Sequence, residues 1–199
     1  MRTATAGWAG AAVAVVLGAC TSTVAGTASP GGPPDLGTAL SGELPGSRRV
    51  DAPPPPWQLC TTAPGTPAPR LDPALGEPVA AGHSSGEVTL HLYAWATSVP
   101  MVAAAILAQA EAEAPDCASA PPSPDAGPGG RVVRSVDDWA GSGWTGVRIR
   151  TEVPGPDASV RETRLVRSDV VVLLVVAAGG DPVSRVVDDH LAAVADRLG

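Results

Sequence analysis

The chain of 199 residues carries 20 acidic and 13 basic side chains, which give it a formal net charge of −7. A protein with this excess of negative charge is a poor partner for nucleic acid and for other polyanionic surfaces, so we expect no nucleic-acid binding. The sequence contains no lysine, which excludes every mechanism that needs a lysine side chain.

The first 19 residues have the form of a secretory signal peptide. Arg2 precedes an apolar run over residues 8–19, which covers about 18 Å of helix and falls short of the ~30 Å membrane core. The run ends in Leu17-Gly18-Ala19-Cys20, the residue pattern of a bacterial lipobox. The sequence therefore predicts cleavage after residue 19 and acylation of Cys20, with palmitate-type chains holding the protein at the outer face of the cytoplasmic membrane.

A plain signal peptide with a cleavage site near Ala25 or Ala28 is the alternative. Residues 20–34 favour the lipoprotein, because they are small, polar and interrupted by Gly and Pro, as a flexible tether is. The predicted organisation is a signal peptide at 1–19, a tether at 20–34 and a folded domain at 35–199.

Two further cysteines lie in the predicted domain. Once Cys20 is lipidated, Cys60 and Cys117 remain as an even pair. In an exported protein such a pair predicts one disulfide bond, and a redox or metal site is the competing interpretation.

The domain opens with a predicted short helix and a proline-rich segment. Asp35 occupies an N-cap position, and Leu36, Leu40 and Leu44 follow at helical spacing. Four prolines at 53–56 predict an extended polyproline conformation. Residues 61–86 show no clear period and predict a long loop.

The first clear strand is followed by a helix. Residues 87–97 alternate, with Val88, Leu90, Leu92 and Ala94 on one face and Thr89, His91, Tyr93 and Trp95 on the other. Ser98 can cap the Ala-rich helix that follows, which is predicted to run until Pro115, with Cys117 just past its end.

Four strands and a last helix complete the pattern. The strands are predicted at 131–136, 144–153, 159–167 and 170–177, and the last of these is apolar on both faces, as a central strand is. Asp181 is the expected cap of the final helix. Together the elements predict an α+β domain with an antiparallel sheet of about five strands, two main helices on one face and a short N-terminal helix.

Several of these segments together resemble a known family. The cysteine-bearing extended segment, the alternating strand, the Ala-rich helix ending in Asp116-Cys117, the Arg-bearing hairpin and the helix at 181–199 are similar to the extracellular sensor domain of the actinobacterial Ser/Thr protein kinase H. This PknH-like domain also occurs in free-standing lipoproteins. The resemblance covers about residues 35–199 and implies ligand binding in a cleft without established catalysis. It also matches Cys60 and Cys117 to one family disulfide, whereas a second family pair is missing here.

Enzyme motifs give little support for catalysis, so we expect a protein that is not an enzyme and binds no cofactor or metal. The sequence has no H-E-x-x-H pair and no phosphate-binding G-x-x-x-x-G-K loop. Ser142 fits a glycine-rich turn, and His83 looks like an ordinary loop residue. The consecutive Asp188, Asp189 and His190 spread about 200° around a helix, which favours a solvated face over a metal site. A hydrolase is the minor alternative.

The candidate ligand surface is the sheet face opposite the helices. If helices cover the Val88 face of the first strand, His91, Tyr93 and Trp95 point away from them. Likewise Trp144, Arg148 and Arg150 alternate with Val147 and Ile149. The six predicted ligand-binding residues are His91, Tyr93, Trp95, Trp144, Arg148 and Arg150. Aromatic rings and guanidinium groups on one face suit an anionic amphiphile such as a lipid or a cell-wall precursor.

A competing interpretation applies to this surface and another to the whole protein. The loop at 61–86 could cover the rings, with Arg148 and Arg150 paired to Glu152 or Glu162 across strands. For the whole protein, the alternative to an anchored ligand-binding domain is a structural or protein-interaction accessory of a cell-wall or transport complex.

Overall fold

A computed structural model describes residues 34–42, 46–60, 70–71, 75–119, 132–154 and 158–199. Cys20, the predicted signal peptide and the predicted tether as far as residue 33 lie outside these residues. The described elements are α1 (Leu36–Ser41), β1 (Arg48–Val50), β2 (Val79–Ser85), β3 (Val88–Ala96), α2 (Pro100–Ser119), β4 (Val133–Gly141), β5 (Trp144–Val153), β6 (Ser159–Ser168), β7 (Val171–Gly179) and α3 (Val183–Leu198).

The seven strands of the described residues form one antiparallel sheet in the order β1-β2-β3-β7-β6-β5-β4. The apolar β7 lies at its centre, and both faces of its residues 171–177 are buried. This agrees with the central position that its two apolar faces predict.

The predicted count of about five strands is wrong, because β1 and β2 were missed. Strand β2 lies within the predicted loop at 61–86, and its sequence VAAGHSS is poor in the β-branched and aromatic residues that typify strands. Strand β1 has only three residues, close to the prolines. Both are specified by pairing with neighbours rather than by a local pattern: β2 pairs along its whole length with β3, and β1 pairs with β2.

The prediction that both main helices share one face is also wrong. Helix α2 packs on the face that bears Tyr93, Trp95 and Leu174, which we call the α2 face. Helices α1 and α3 pack on the face that bears Leu92 and Val175, which we call the α3 face. Since apolar residues line both faces of β3 and β7, the sheet needs a helical cover on each side.

The helix ends differ from the prediction in two places. Helix α2 continues through Pro115 to Ser119, and Cys117 lies buried in its last turns. Helix α3 has Pro182 rather than Asp181 at its N-cap. By contrast, Asp35 caps α1 as predicted, because its carboxylate accepts a hydrogen bond from the Thr38 amide at 3.0 Å.

The predicted disulfide between Cys60 and Cys117 is confirmed, with the two Cα atoms 5.9 Å apart. Cys60 follows the proline-rich segment and Cys117 belongs to α2, so the bond joins that segment to the helix. Both residues are buried in the apolar layer between α2 and the sheet.

Candidate ligand-binding groove

Pro53, Pro54 and Pro56, in the segment of prolines at 53–56, form one wall of a groove on the α2 face. Proline fixes φ and has no N–H to donate, so the segment stays extended outside the sheet. Two contacts hold it. Tyr93 Oη donates a hydrogen bond to the Pro53 carbonyl at 3.0 Å, and Trp57 packs on Trp95 with ring centroids 6.3 Å apart. The wall is therefore attached to β3 at its start and just beyond its end.

The floor of the groove consists of alternate residues from β3, β7 and β6. These are Thr89, His91, Tyr93, Val176, Ala178 and Arg161. The register brings them together, because Thr89 pairs with Ala178, which pairs with Arg161. The short side chain of Ala178 leaves space between the longer ones. The groove has a volume of about 320 Å³.

The groove is basic, with an apolar wall. Arg161 is exposed, and the side chains that line the groove include no carboxylate. Burial lowers the pKa of His91, and repulsion from the Arg161 guanidinium lowers it further, so His91 is neutral at neutral pH. Burial raises the pKa of Tyr93, which remains a phenol that donates to Pro53. This arrangement can hold one anionic group beside an apolar one.

Of the six predicted ligand residues, the structure brings His91 and Tyr93 into this groove. Trp95 lies further along β3, where it is buried and its indole N–H donates to the Gly76 carbonyl at 3.0 Å. A residue from the 61–86 segment thus satisfies Trp95, in line with the competing interpretation in which that segment covers the rings.

The other three predicted residues lie on the opposite face of the sheet. The buried Trp144 donates from its indole N–H to the Leu191 carbonyl of α3 at 3.0 Å. Arg148 pairs with Asp137 at 3.3 Å. Arg150 contacts Glu152 at 2.6 Å and Glu162 at 3.5 Å, as the competing interpretation expected. The predicted single surface of aromatic and basic residues is therefore divided between two faces.

The strand register explains this division. Tyr93 pairs with Leu174, Leu174 with Leu165, and Leu165 with Val147. Side chains directly opposite each other share a face, so Val147 lies with Tyr93 rather than with Leu92. Arg148, one residue along β5, consequently points to the α3 face.

An ion-pair cluster occupies the α3 face where α3 meets β5 and β6. Arg164 and Glu162 are both fully buried and lie 2.5 Å apart, and Arg164 also contacts Asp188 at 2.6 Å. Ser184 of α3 donates a hydrogen bond to Glu162 and accepts one from Arg150. Each cation here has an acidic partner, so the cluster fastens α3 to the sheet instead of offering a vacant charge. Asp188, predicted to belong to a solvated face, is thus part of this cluster.

Among the polar residues of the groove, Arg161 and Thr89 were not predicted from the sequence, and one sequence motif was also missed. Arg161 and Thr89 alternate correctly within their strands, but only the pairing of β3, β7 and β6 brings them together.

The run Gly82–Gly86 has the G-x-S-x-G spacing of a nucleophile elbow at Ser84. Such an elbow needs a strand-to-helix turn, whereas residues 82–85 are the end of β2 and Gly86 begins the turn to β3. Ser84 therefore lacks the context that activates such a serine.

Within the described ranges, no three potential metal ligands of the His, Cys, Asp or Glu type lie together. The same residues include no helix that is both long and apolar enough to cross a membrane.

A second, smaller groove of about 280 Å³ lies beside β1 and β2, where Arg49 and Asp51 bring opposite charges to its lining.

No protein-family model matches the chain, and no curated protein matches it. The similarity to the PknH-like sensor domain therefore stays a prediction from the sequence pattern.

Proposed function

We propose that the protein is a lipid-anchored lipoprotein of the cell envelope, whose PknH-like sensor domain binds a small anionic amphiphile without catalysing a reaction. The observation that carries this proposal is the groove between the prolines at 53–56 and the α2 face. An apolar wall beside convergent polar groups is the usual composition of a small-molecule site. Arg161 supplies a guanidinium that pairs well with phosphate or carboxylate.

The binding test uses residues 32–199, which form one compact unit. The probes are dihexanoyl phosphatidylglycerol and dihexanoyl phosphatidylcholine, both kept below their micelle concentrations, and binding is followed by tryptophan fluorescence. We expect saturable binding of the anionic probe and at least tenfold weaker binding of the zwitterionic one. Arg161→Gln should weaken binding of the anionic probe about tenfold, since charged hydrogen bonds contribute about 1.5–3 kcal/mol.

The matched control is Arg167→Gln, which changes another arginine on the same face of β6, outside the groove. It should bind like the wild type. Equal binding of both probes, or equal weakening by the two substitutions, would remove the groove from the proposal.

The anchor is tested separately at Cys20. Cys20→Ala should abolish acylation, so the protein should move from the membrane fraction into unprocessed precursor or medium. A matched Cys60→Ala variant, which keeps the lipobox, should still be acylated. Unchanged detergent partitioning of Cys20→Ala would contradict the anchor without affecting the groove.

A second candidate function, a protein-interaction accessory, has one observation in its favour. Val99, Met101 and Val102 are exposed apolar residues where the chain passes from β3 into α2, and Met101 is 77 % exposed. Exposed apolar residues that lie together are typical of contact surfaces. Pull-down from envelope extract with wild type and Met101→Asp tests it: a partner that binds both equally would contradict this role.

A further inference from the structure

Two buried histidines contact each other on the α3 face. His83 of β2 is 2 % exposed and His190 of α3 is 4 % exposed. Their ring centroids lie 5.2 Å apart and the rings meet edge to face at 66°. His83 is therefore not the ordinary loop residue that its sequence context suggests, and His190 does not lie on a solvated face.

Backbone carbonyls define the proton positions of the pair. His83 Nε2 lies 3.0 Å from the Leu40 carbonyl oxygen, and His190 Nδ1 lies 2.7 Å from the Val186 carbonyl oxygen. A carbonyl can only accept, so each of these nitrogens carries a hydrogen. His83 Nδ1 and His190 Nε2 are left as buried acceptors without a hydrogen-bond partner in the described part of the chain. Each of the two rings thus has one nitrogen that can take up a proton.

One member of this pair, His83, binds helix α1. It has six residues, too few for stability on its own, and it is held by the burial of Leu36, Ala39 and Leu40. Two side chains also bind its last carbonyls. Arg197 donates to the Ala39 carbonyl at 3.1 Å, and His83 donates to the Leu40 carbonyl.

The charges around the pair oppose protonation. Arg49 of β1 stands opposite His83 in the strand register, while α3 contributes Arg197 and Asp189. Neither α1 nor Leu90, the β3 residue in register with His83, brings a charge. Burial is the largest cause that lowers the pKa of both histidines, and the arginines add to it. Two cations and one carboxylate thus surround a pair that is neutral at neutral pH.

We infer that protonation of the His83–His190 pair releases α1 from the rest of the domain. The pair is thus a pH-dependent latch for this helix. In mild acid, protons taken up by the pair introduce buried positive charge between Arg49 and Arg197, and undocking of α1 lets water reach the rings. The chain before β1 is then lengthened, because six helical residues spanning about 9 Å can extend to about 20 Å. The latch itself does not depend on the groove or on the anchor proposed at Cys20.

The experiment is hydrogen exchange of the full chain, followed by mass spectrometry at pH 7.5 and pH 5.0 and corrected for intrinsic exchange rates. We expect the protection of α1 amides to fall about tenfold or more in acid while β7 stays protected. Undocking raises the pKa of each buried histidine toward 6.5, so the undocked state binds protons more tightly. Acid below pH 6.5 therefore favours the undocked state. The double variant His83→Gln/His190→Gln keeps possible donors but takes up no proton there, so its α1 protection should change less than about threefold.

The control is His91→Gln, which removes the histidine on the α2 face and should leave the wild-type response intact. If the double variant does not fold, His190→Gln alone should clearly reduce the response of α1 to pH. Unchanged α1 protection in the wild type, a response that persists without the histidines, or parallel loss of protection in β7 would overturn the latch.

Discussion

Arg164 lies over the ring of Trp139, with its guanidinium carbon 4.4 Å from the ring centroid. The two residues belong to β6 and β4, which are separated by β5. Trp139 pairs with Gly146 of β5, and Gly146 pairs with Val166, so the ring stands beside a position without a side chain. A Cβ atom at Gly146 would lie 2.1 Å from the Leu165 carbonyl oxygen. Glycine here allows β5 and β6 to approach each other closely, and it leaves the position next to the tryptophan that covers the buried cation without a side chain.

Arg164→Met should destabilise the domain by about 3–5 kcal/mol, because it leaves the Glu162 carboxylate buried with only the more distant Arg150 as a cationic partner. Urea unfolding of residues 32–199 measures this change. The double variant Glu162→Gln/Arg164→Met should recover much of the loss, since no buried charge then lacks its partner.

The control for that measurement is Arg148→Met, which breaks the more exposed pair with Asp137 and should cost less than about 1 kcal/mol. Equal losses of stability from Arg148→Met and Arg164→Met would show that the buried cluster contributes no more to the free energy of unfolding than an exposed ion pair.

Tyr93→Phe removes the hydroxyl that donates to Pro53 but keeps the buried ring. The expected loss of stability is about 1 kcal/mol, the usual net value of one hydrogen bond. Hydrogen exchange cannot report on the prolines, so limited proteolysis around Ala52 serves as the second measurement, and cleavage should become faster. A variant as stable and as resistant as the wild type would mean that this hydrogen bond does not hold the groove wall.

Cys60→Ser/Cys117→Ser should lower the free energy of unfolding by about 4 kcal/mol in the chain-entropy account, given the separation of 57 residues along the chain. Urea unfolding of oxidised wild type, reduced wild type and the double variant gives the value. The last two should agree closely. A double variant as stable as the oxidised protein would show that the noncovalent contacts suffice.

Binding of an anionic probe to the groove should tighten as the pH falls from 7.5 to 5.5. In the free protein, burial and Arg161 keep the pKa of His91 below its usual value, so the ring gains its proton late as the pH falls. A bound anion favours the imidazolium and raises that pKa, so binding is accompanied by proton uptake. For each pKa unit by which the bound anion raises the pKa of His91, the anion binds up to tenfold more tightly in acid.

Isothermal titration of dihexanoyl phosphatidylglycerol in buffers of different ionisation enthalpy measures the protons taken up. His91→Gln should remove this uptake and most of the pH dependence, whereas His190→Gln should keep both. Proton uptake that survives in His91→Gln would assign the dependence to another group.

The sequence predicted those features of the strands that depend only on the residues of one strand. The alternation of β3 and of β5 was predicted correctly, as was the central position of β7. The relative orientation of β3 and β5 was not, because β7 and β6 lie between them and β7 is apolar on both faces. Which residue of β5 shares a face with Tyr93 depends on three successive registers, and a change of one residue in any of them reverses the answer.

The same limit applies to the groove. His91 and Tyr93 could be singled out because they belong to one strand, whereas Arg161 joins them only through β7. The prolines at 53–56 predicted an extended segment, but no local signal indicated where it would lie. Its position follows from the Tyr93 hydroxyl, the Trp57–Trp95 contact and the disulfide, all of which involve partners distant in sequence.

The bond between Cys60 and Cys117 gives the domain an order of maturation. The strands that form the groove floor can pair without any covalent link, but the segment carrying Pro53 to Pro56 is fastened to α2 only when the two thiols are oxidised. In a reducing compartment the Tyr93 hydrogen bond and the Trp57–Trp95 contact would hold the wall without its covalent link to α2. If the groove binds an amphiphile as proposed, oxidation completes the binding site, and newly synthesised protein gains its full affinity only in an oxidising environment.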